Sequence, residues 1–337
     1  MPQSRAMHLP LYQHPSLAVL VGASEAFLAR LQCELGDTAT SKALTDPHSA
    51  LTWMQANDAA TRPEPMVSAG ACVDQLFSVA LDIGRIFRLA FQPGRFMLAS
   101  VLVVEFWTGA TNGIDLCAKL SGLPCKKILL CGAGDDGAAL DAFNRGLIDR
   151  TIRKSDSDAL DQLAQAIATL QQQYFADLSA ALGAALAVTA HGLSFLADQA
   201  VAGLVRELSL ARGFVEHYVY PQPGGLLLFD AAGRATLMVI ETNQGMDTHH
   251  EVARDSGAPP SFLKAIEARC VVPFFRHGDG MYDAGTVGER WYRDCAPAQV
   301  CKGEQDYFWA LFEINADELP QAAAPYARFR ADRCGAA

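Results

Sequence analysis

Three side chains in the first half of the sequence each follow an apolar run, and their types suit phosphoryl or charge-pair chemistry. They are a carboxylate, a thiol and an ammonium group: Glu105, Cys131 and Lys154. A carboxylate can attack a phosphoryl group when a nearby cation neutralises the transferred charge. The same carboxylate and ammonium group can also form an ion pair without any phosphate. Either chemistry requires a fold that brings these positions together.

The runs that precede these side chains are typical of buried strands in a parallel sheet. Apolar runs alternate with helical patterns, the runs at residues 17–21, 98–104, 128–130 and 148–152 and the patterns at residues 24–35, 114–120 and 138–145. This alternation predicts an α/β fold with a doubly wound parallel sheet, covered by helices on both faces. Chemistry in such sheets lies at the carboxyl ends of the strands. Those ends are occupied by Gly22, Ala23, Glu105, Cys131 and Lys154.

Residues 105–114, with the sequence EFWTGATNGI, resemble the phosphorylation loop of response-regulator receivers, D-x-x-M-P-x-M-D-G-(I/L), in register from end to end. Glu105 falls on the phosphoacceptor aspartate, Gly109 on the loop proline and Gly113 on the loop glycine. The resemblance implies a flavodoxin-like receiver sheet of five parallel strands.

The other receiver switch positions carry different residues from those of the family. Cys131 lies where receivers place a threonine or serine after the fourth strand. Lys154 falls on the family's lysine after the fifth strand, and Arg153 is an alternative by one residue. Gly22 and Ala23 replace the acidic pair that holds Mg²⁺ after the first strand.

These substitutions remove what aspartyl phosphorylation needs. Mg²⁺ prefers oxygen ligands in octahedral geometry, and Gly22 and Ala23 offer no side-chain oxygen. The resemblance therefore implies a pseudo-receiver without a metal site, a cofactor or catalytic residues. Glu105 is one methylene longer than aspartate, so its carboxylate can reach toward Lys154 and Cys131. Glu105 is then a fixed mimic of the activated state, a remnant that makes a modest ion pair, or a residual phosphorylation site.

Within the receivers, the sequence is similar to the Legionella-type quorum-sensing response regulators, the LqsR family. The acceptor position comes late because residues 57–97 are inserted before the third strand, and residues 146–150 and 171–175 also match. The resemblance implies a response regulator of a two-component phosphorelay in quorum sensing. Such a regulator signals through protein partners, either a histidine kinase or a downstream regulator.

The sequence divides into a receiver-like domain (1–155), a helical linker or dimerisation segment (156–212) and a small α+β output domain (213–337). The insertion contains an apolar helix, predicted over residues 73–91, that packs in the core, forms a partner surface or belongs to the dimer. The linker has apolar residues at coiled-coil spacing, namely Leu160, Leu163, Ile167, Leu170 and Tyr174. They either pack on the receiver's own sheet or join two chains in a homodimer.

The output domain carries strand patterns at residues 214–220, 226–230 and 235–241, followed by helical patterns at residues 247–254 and 259–268. An alternative function for the chain is a small-molecule or nucleotide sensor that uses this domain.

Adjacent His249 and His250 point about 100° apart on a helix, so an exposed pair is favoured over a metal site. Cys295 and Cys301 fit no ligand spacing and are predicted to be buried thiols.

Composition excludes several other classes. The chain has 27 basic and 37 acidic residues, with a net charge of −10, which argues against DNA binding. Nine cysteines without a CxxC pair argue against a zinc ribbon and fit a reducing cytoplasm. No apolar run reaches the length of a membrane span. We expect a cytoplasmic, non-enzymatic protein.

Overall fold

The computed structural model describes residues 8–36, 38–63, 67–69, 79–108, 111–182, 193–276 and 280–334. Its helices are α1 (Glu25–Leu35), α2 (Pro47–Thr61), α3 (Ile83–Leu89), α4 (Gly113–Lys119), α5 (Asp136–Asn144), α6 (Ala159–Ala181), α7 (Gln199–Arg212), α8 (Asn243–Asp255), α9 (Pro260–Glu267) and α10 (Tyr326–Cys334). Within the described residues, no helix is both long and apolar enough to cross a membrane.

The strands, in chain order, are β1 (Tyr12–Gln13), β2 (Leu17–Val21), β3 (Ser41–Leu44), β4 (Val67–Ala69), β5 (Val79–Leu81), β6 (Ala99–Glu105), β7 (Trp107–Thr108), β8 (Thr111–Asn112), β9 (Lys126–Cys131), β10 (Arg150–Arg153), β11 (Phe214–Val219), β12 (Gly225–Asp230), β13 (Ala235–Thr242), β14 (Val271–Pro273), β15 (Cys295–Pro297), β16 (Gln299–Lys302) and β17 (Asp306–Ile314). The chain forms two compact units. We call them the parallel-sheet unit (His14–Pro63, Pro93–Asp177 and Ala327–Ala337) and the antiparallel-sheet unit (Met1–Gln13, Glu64–Gln92 and Leu178–Tyr326).

The parallel-sheet unit is built on five parallel strands in the order β10-β9-β6-β2-β3. Side chains alternate between the two faces of each strand. Leu102, Val104 and Leu129 pack against α2, α4 and α5 on one face. Val103 and Ile128 pack against α1 and α6 on the other. The predicted doubly wound, five-stranded sheet is confirmed.

Two strands of this unit differ from the sequence-based predictions. β3 was not predicted, because its sequence SKAL is only half-buried at the edge of the sheet and lacks a continuous apolar run. β10 begins at Arg150, two residues after the start of the predicted strand at residue 148. Just ahead of it, the Asp149 carboxylate accepts a hydrogen bond from the Lys127 backbone N–H (2.7 Å).

The predicted coiled-coil seam on α6 packs inside its own unit. Leu163, Ile167 and Leu170 are buried against the sheet beside α1, and Leu160 is partly buried next to them. Tyr174 is also buried. Of the two alternatives for the seam, packing on the receiver's own sheet is therefore correct.

The insertion does not contain one long helix. Residues 70–78 lie outside the described residues, and Val79–Leu81 form β5, which pairs antiparallel with β4. The helix α3 starts only at Ile83, because the Asp82 side chain accepts a hydrogen bond from the Arg85 N–H and caps it. The prediction of a helix from residue 73 is wrong for residues 79–81.

The antiparallel-sheet unit contains a six-stranded sheet in the order β1-β11-β12-β13-β17-β16. β11, β12 and β13 and the helices α8 and α9 lie close to their predicted positions. The edge strand β1 comes from the start of the chain and pairs antiparallel with β11. This pairing was not predicted, since two residues give no strand pattern.

The C-terminal helix α10 adds contacts within the parallel-sheet unit. The Arg330 guanidinium donates to the Gly36 carbonyl oxygen at 2.8 Å. The Phe329 ring lies 5.4 Å, centroid to centroid, from the Phe96 ring. The helix α10 therefore folds with the parallel-sheet unit, which local sequence patterns do not indicate.

Candidate functional site

Glu105 is the last residue of β6, the central strand of the parallel sheet, and it is buried. Its side chain follows those of Val101 and Val103, so it belongs to the face covered by α1 and α6. Lys154 comes two residues after Ile152, which packs on that same face. Sheet order and strand parity therefore place the carboxylate and the ammonium group on one side of the sheet.

The two side chains form an ion pair. Lys154 Nζ donates to Glu105 Oε1 at 2.9 Å, and 38% of the lysine side chain but only 10% of the glutamate side chain is exposed. The other oxygen, Oε2, accepts a hydrogen bond from the Ala23 backbone N–H at 3.0 Å. Both oxygens of the carboxylate are therefore satisfied.

Arg153 is the alternative to Lys154 for the position of the family's lysine. Its side chain points to the opposite face of the sheet. Its guanidinium makes two hydrogen bonds to the Asp136 carboxylate, at 3.0 and 2.9 Å. The Lys154 backbone N–H extends the hydrogen bonding between β10 and β9 by donating to the Cys131 carbonyl oxygen at 2.9 Å. Lys154, and not Arg153, thus contacts Glu105.

Gly22 provides the space that Glu105 occupies. A Cβ atom at this position would lie 2.5 Å from Glu105 Oε2 and 3.0 Å from its carboxyl carbon, far inside van der Waals contact. A glycine at position 22 and a glutamate at position 105 are therefore sterically complementary. An acidic side chain at Gly22, as the receiver family has, would not fit beside the present Glu105 carboxylate.

Cys131 does not contact the Glu105 carboxylate. Its side chain belongs to the face covered by α2, α4 and α5, with that of Leu129, and its Sγ lies 3.9 Å from the Leu129 carbonyl oxygen. Burial, and then the charge of Asp135, raises the pKa of the thiol to about 11. The thiol is therefore neutral near pH 7, and the expectation that Glu105 reaches Cys131 is wrong because the two lie on opposite faces.

The loop after Glu105 is a small hairpin of β7 and β8. Gly109 lies outside the described residues. Gly113 comes very close to the strand: a Cβ there would be 2.2 Å from the Glu105 carbonyl oxygen. The Asn112 side chain accepts from the Ile114 N–H at 2.8 Å and caps α4. The Gly113 backbone therefore passes close to Glu105, where only a glycine fits.

The two positions beside the Glu105 carboxylate, Gly22 and Ala23, carry no side-chain oxygen, and oxygen ligands are those that Mg²⁺ prefers. Each Glu105 oxygen accepts one hydrogen bond. In the part of the chain that the structure describes, no group of three or more histidine, cysteine, aspartate or glutamate side chains is arranged to hold a metal ion.

A solved structure resembles this chain over nearly its full length. The response regulator LqsR of Legionella pneumophila superposes with a TM-score of 0.75, at 25% sequence identity, over 96% of each chain. The chain has the fold of a response regulator. No protein-family model and no curated protein matches it.

Two further structures match about half of this chain. A receiver domain protein from Clostridium thermocellum has 13% identity and a TM-score of 0.32, covering 47% of this chain and 95% of its own. An adenylate cyclase from Rhodopirellula baltica has 16% identity and a TM-score of 0.35, covering 49% and 93%.

His249 and His250 are predicted to be an exposed pair, but His249 is buried. On α8 it follows Met246 and precedes Ala253 on the helix face that packs into the core, and its Nε2 lies 3.4 Å from Glu241 Oε1. The expectation of an exposed pair is therefore wrong for His249, since it lies on the apolar stripe of the helix.

Cys295 is half-buried, and burial raises the pKa of its thiol to about 12. Cys301 is also half-buried, and burial raises the pKa of its thiol. The prediction of buried thiols is therefore only partly correct for both. Neither cysteine belongs to a metal-binding group among the described side chains.

Proposed function

We propose that this response regulator has a receiver that works without phosphorylation, because the Glu105–Lys154 ion pair takes the place of the phosphorylated acceptor. The observation that carries the proposal is the 2.9 Å contact between Lys154 Nζ and Glu105 Oε1. In phosphoryl chemistry a cation neutralises the charge that the acceptor gains. Here the longer glutamate brings its charge to the lysine directly, and the Ala23 N–H holds the second oxygen.

The same contacts argue against phosphorylation at Glu105. Attack on a phosphoryl group needs a carboxylate that faces the donor, and a Mg²⁺ ion would neutralise the transferred charge. Gly22 and Ala23 supply no side-chain ligand for such an ion. Each Glu105 oxygen already accepts one hydrogen bond, which the carboxylate would have to rearrange to attack. We therefore propose that the Mg²⁺ site is lost and that the protein needs no cofactor.

Without a phosphate to accept, the protein acts as a non-enzymatic, cytoplasmic regulator through contacts with proteins. In a quorum-sensing circuit these partners are a histidine kinase or a downstream regulator. The acidic charge of the chain disfavours DNA as the target. We also propose that the protein forms a homodimer. The apolar seam of α6 does not provide the dimer interface, because its residues pack inside their own unit.

A second candidate function is a small-molecule sensor in the antiparallel-sheet unit. One observation favours it: a cavity of about 540 Å³ is lined by Tyr220, Phe274, Phe275 and Arg276. The Arg276 guanidinium pairs with Glu318 Oε1 at 3.0 Å. A ligand with an anionic group would compete with that carboxylate. A thermal-shift screen with nucleotides and metabolites tests this function, since a bound ligand raises the melting temperature.

Phosphorylation with a small phosphodonor tests the first function. Incubation with acetyl phosphate and Mg²⁺ should leave the intact mass of the wild-type protein unchanged. The combined variant Gly22→Asp, Ala23→Asp and Glu105→Asp restores the missing ligands and removes the steric conflict, and it should become labelled. The matched control carries Gly22→Asp and Ala23→Asp with Glu105 kept, and it should remain unlabelled. A stable wild-type adduct that disappears in Glu105→Ala refutes the proposal.

A further inference from the structure

A cleft opens beside Lys154, between α1 and α6, on the same face of the sheet as the Glu105 ion pair. Phe27, Arg30 and Leu31 of α1 line one side, and Leu160 and Leu163 of α6 line the other. The cleft has a volume of about 200 Å³. At about 30 Å³ for each water molecule in the liquid, it has room for roughly seven non-hydrogen groups. This size suits a small molecule and not a folded partner.

The floor and the rim of the cleft differ in chemistry. The floor is apolar and consists of buried side chains, among them Leu31, Leu130 and Leu163. The rim is polar and exposed, with Arg30, Lys154, Asp156 and Ser157. An apolar floor under a polar rim fits a ligand with an apolar tail and a polar head, because each part then meets its own kind of surface.

The charges of the rim favour an anionic head. Arg30 and Lys154 bring two positive charges, against one negative charge from Asp156. Among the described residues, the one ion pair of Arg30 is a long, exposed contact to Glu34, at 3.9 Å. The Lys154 ammonium group lies 5.7 Å from the centre of the Phe27 ring, so it faces the cleft as well as Glu105. An anion in the cleft would therefore contact the Lys154 ammonium group, which already forms an ion pair with Glu105.

We propose that this cleft binds a small amphipathic anion, a carboxylate or phosphate with a short apolar tail, which takes Lys154 from Glu105 and so switches the receiver. The inference rests on the proposed function in one respect, namely that Glu105 holds Lys154 in the resting protein. Ligand and Glu105 compete for one ammonium group, so binding loosens the ion pair and a weaker ion pair strengthens binding.

Hexanoate is the probe for this competition, with acetate and hexan-1-ol as matched controls that lack the tail or the charge. The Ala23 amide resonance reports on the Glu105 carboxylate, to which it is hydrogen-bonded. We expect hexanoate to shift this resonance saturably and to bind at least about tenfold more tightly than either control, since acetate lacks the methylenes that the cleft buries and hexan-1-ol lacks the charge that Arg30 and Lys154 attract. If hexanoate and acetate bind equally well, the apolar floor does not contribute to binding and the proposal is refuted. If hexanoate and hexanol bind equally well, the cleft does not select an anion and the proposal is refuted.

Variants of the cleft separate its parts. Lys154→Met and Arg30→Met should each weaken hexanoate binding by about fivefold, while Glu105→Gln should strengthen it by a similar factor. Arg145→Met is the matched control, because Arg145 makes an exposed pair with Asp141 four residues away, as Arg30 does with Glu34. Binding that is unchanged in Lys154→Met, or reduced equally in Arg145→Met, refutes the inference.

The outcome also distinguishes this inference from the proposed function. A wild-type protein that accepts phosphate from acetyl phosphate and still binds hexanoate through Lys154 refutes only the proposed function. A protein that is neither phosphorylated nor able to bind hexanoate refutes only the cleft.

Discussion

Adding one methyl group at Gly22 should disturb the Glu105 ion pair, and the size of the effect follows from the local geometry. The Cβ atom of Gly22→Ala would lie 2.5 Å from Glu105 Oε2. That oxygen is at the end of a flexible side chain, so the carboxylate moves and the backbone does not. In moving, the carboxylate gives up the hydrogen bond from the Ala23 N–H and weakens its contact with Lys154.

The free energy of unfolding should fall by about 2 kcal/mol in this variant. A hydrogen bond to a charged group contributes about 1.5–3 kcal/mol, and a partly exposed ion pair contributes about 1 kcal/mol or less. Replacing glycine by alanine lowers the entropy of the unfolded chain, which returns about 0.5 kcal/mol. The loss of the hydrogen bond is thus the largest effect.

A double-mutant cycle isolates the contact. In the Glu105→Asp background the carboxylate is shorter by one methylene, so Gly22→Ala should lower the free energy of unfolding by less than about 0.5 kcal/mol. Urea denaturation followed by circular dichroism gives the four free energies. The expected coupling between positions 22 and 105 is about 2 kcal/mol, within the range measured for residues in contact.

Gly137→Ala is the control for the general effect of the substitution. Gly137 lies in α5, and a Cβ there would meet no atom within 4 Å. This variant should gain stability by about 0.5–1 kcal/mol, because glycine is unfavourable inside a helix. A coupling between Gly22→Ala and Glu105→Asp below about 0.5 kcal/mol would refute the steric argument.

Three other predictions concern groups away from the Glu105 carboxylate. Burial lowers the pKa of His217 to about 4. The unfolded chain therefore takes up a proton below about pH 6.5 while the folded one does not, and stability should fall as pH drops from 6.5 to 4; His217→Gln should flatten this slope in acid denaturation. Ile167→Ala should cost about 2–5 kcal/mol in urea denaturation, because the side chain is fully buried in its own unit, and a change in elution volume without a loss of stability would contradict this. At pH 8 iodoacetamide should label exposed Cys33 well before Cys131, whose raised pKa and burial leave little accessible thiolate; peptide mass spectrometry checks the order.

The central strands could be predicted from the sequence because they are buried on both faces. β6 and β9 each contain a continuous apolar run, and parallel strands end at one edge of a sheet. The sequence alone therefore sufficed to place Glu105 and Lys154 at the same edge. β3 could not be predicted in this way, since an edge strand with a lysine and a serine gives no apolar run.

One feature of the site follows from a simple rule of strand geometry, and a second required the structure. Strand parity puts Cys131 with Leu129 and Glu105 with Val103, on opposite faces of the sheet. The role of Gly22 required distances, because a missing side chain indicates a lost ligand as readily as a steric fit. Only the contact of a hypothetical Cβ atom with Glu105 distinguishes the two.

The pairing of β1 with the antiparallel sheet and the packing of α10 beside the parallel sheet have a consequence for the evolution of this protein. The chain passes between its two compact units five times, near residues 13, 63, 92, 177 and 326. Regulators whose domains are joined by one linker can exchange outputs by a single genetic recombination. In this protein, a single recombination event would separate β1 from the antiparallel sheet or α10 from the parallel sheet. We expect the two units to be inherited together, with shuffling of either unit selected against.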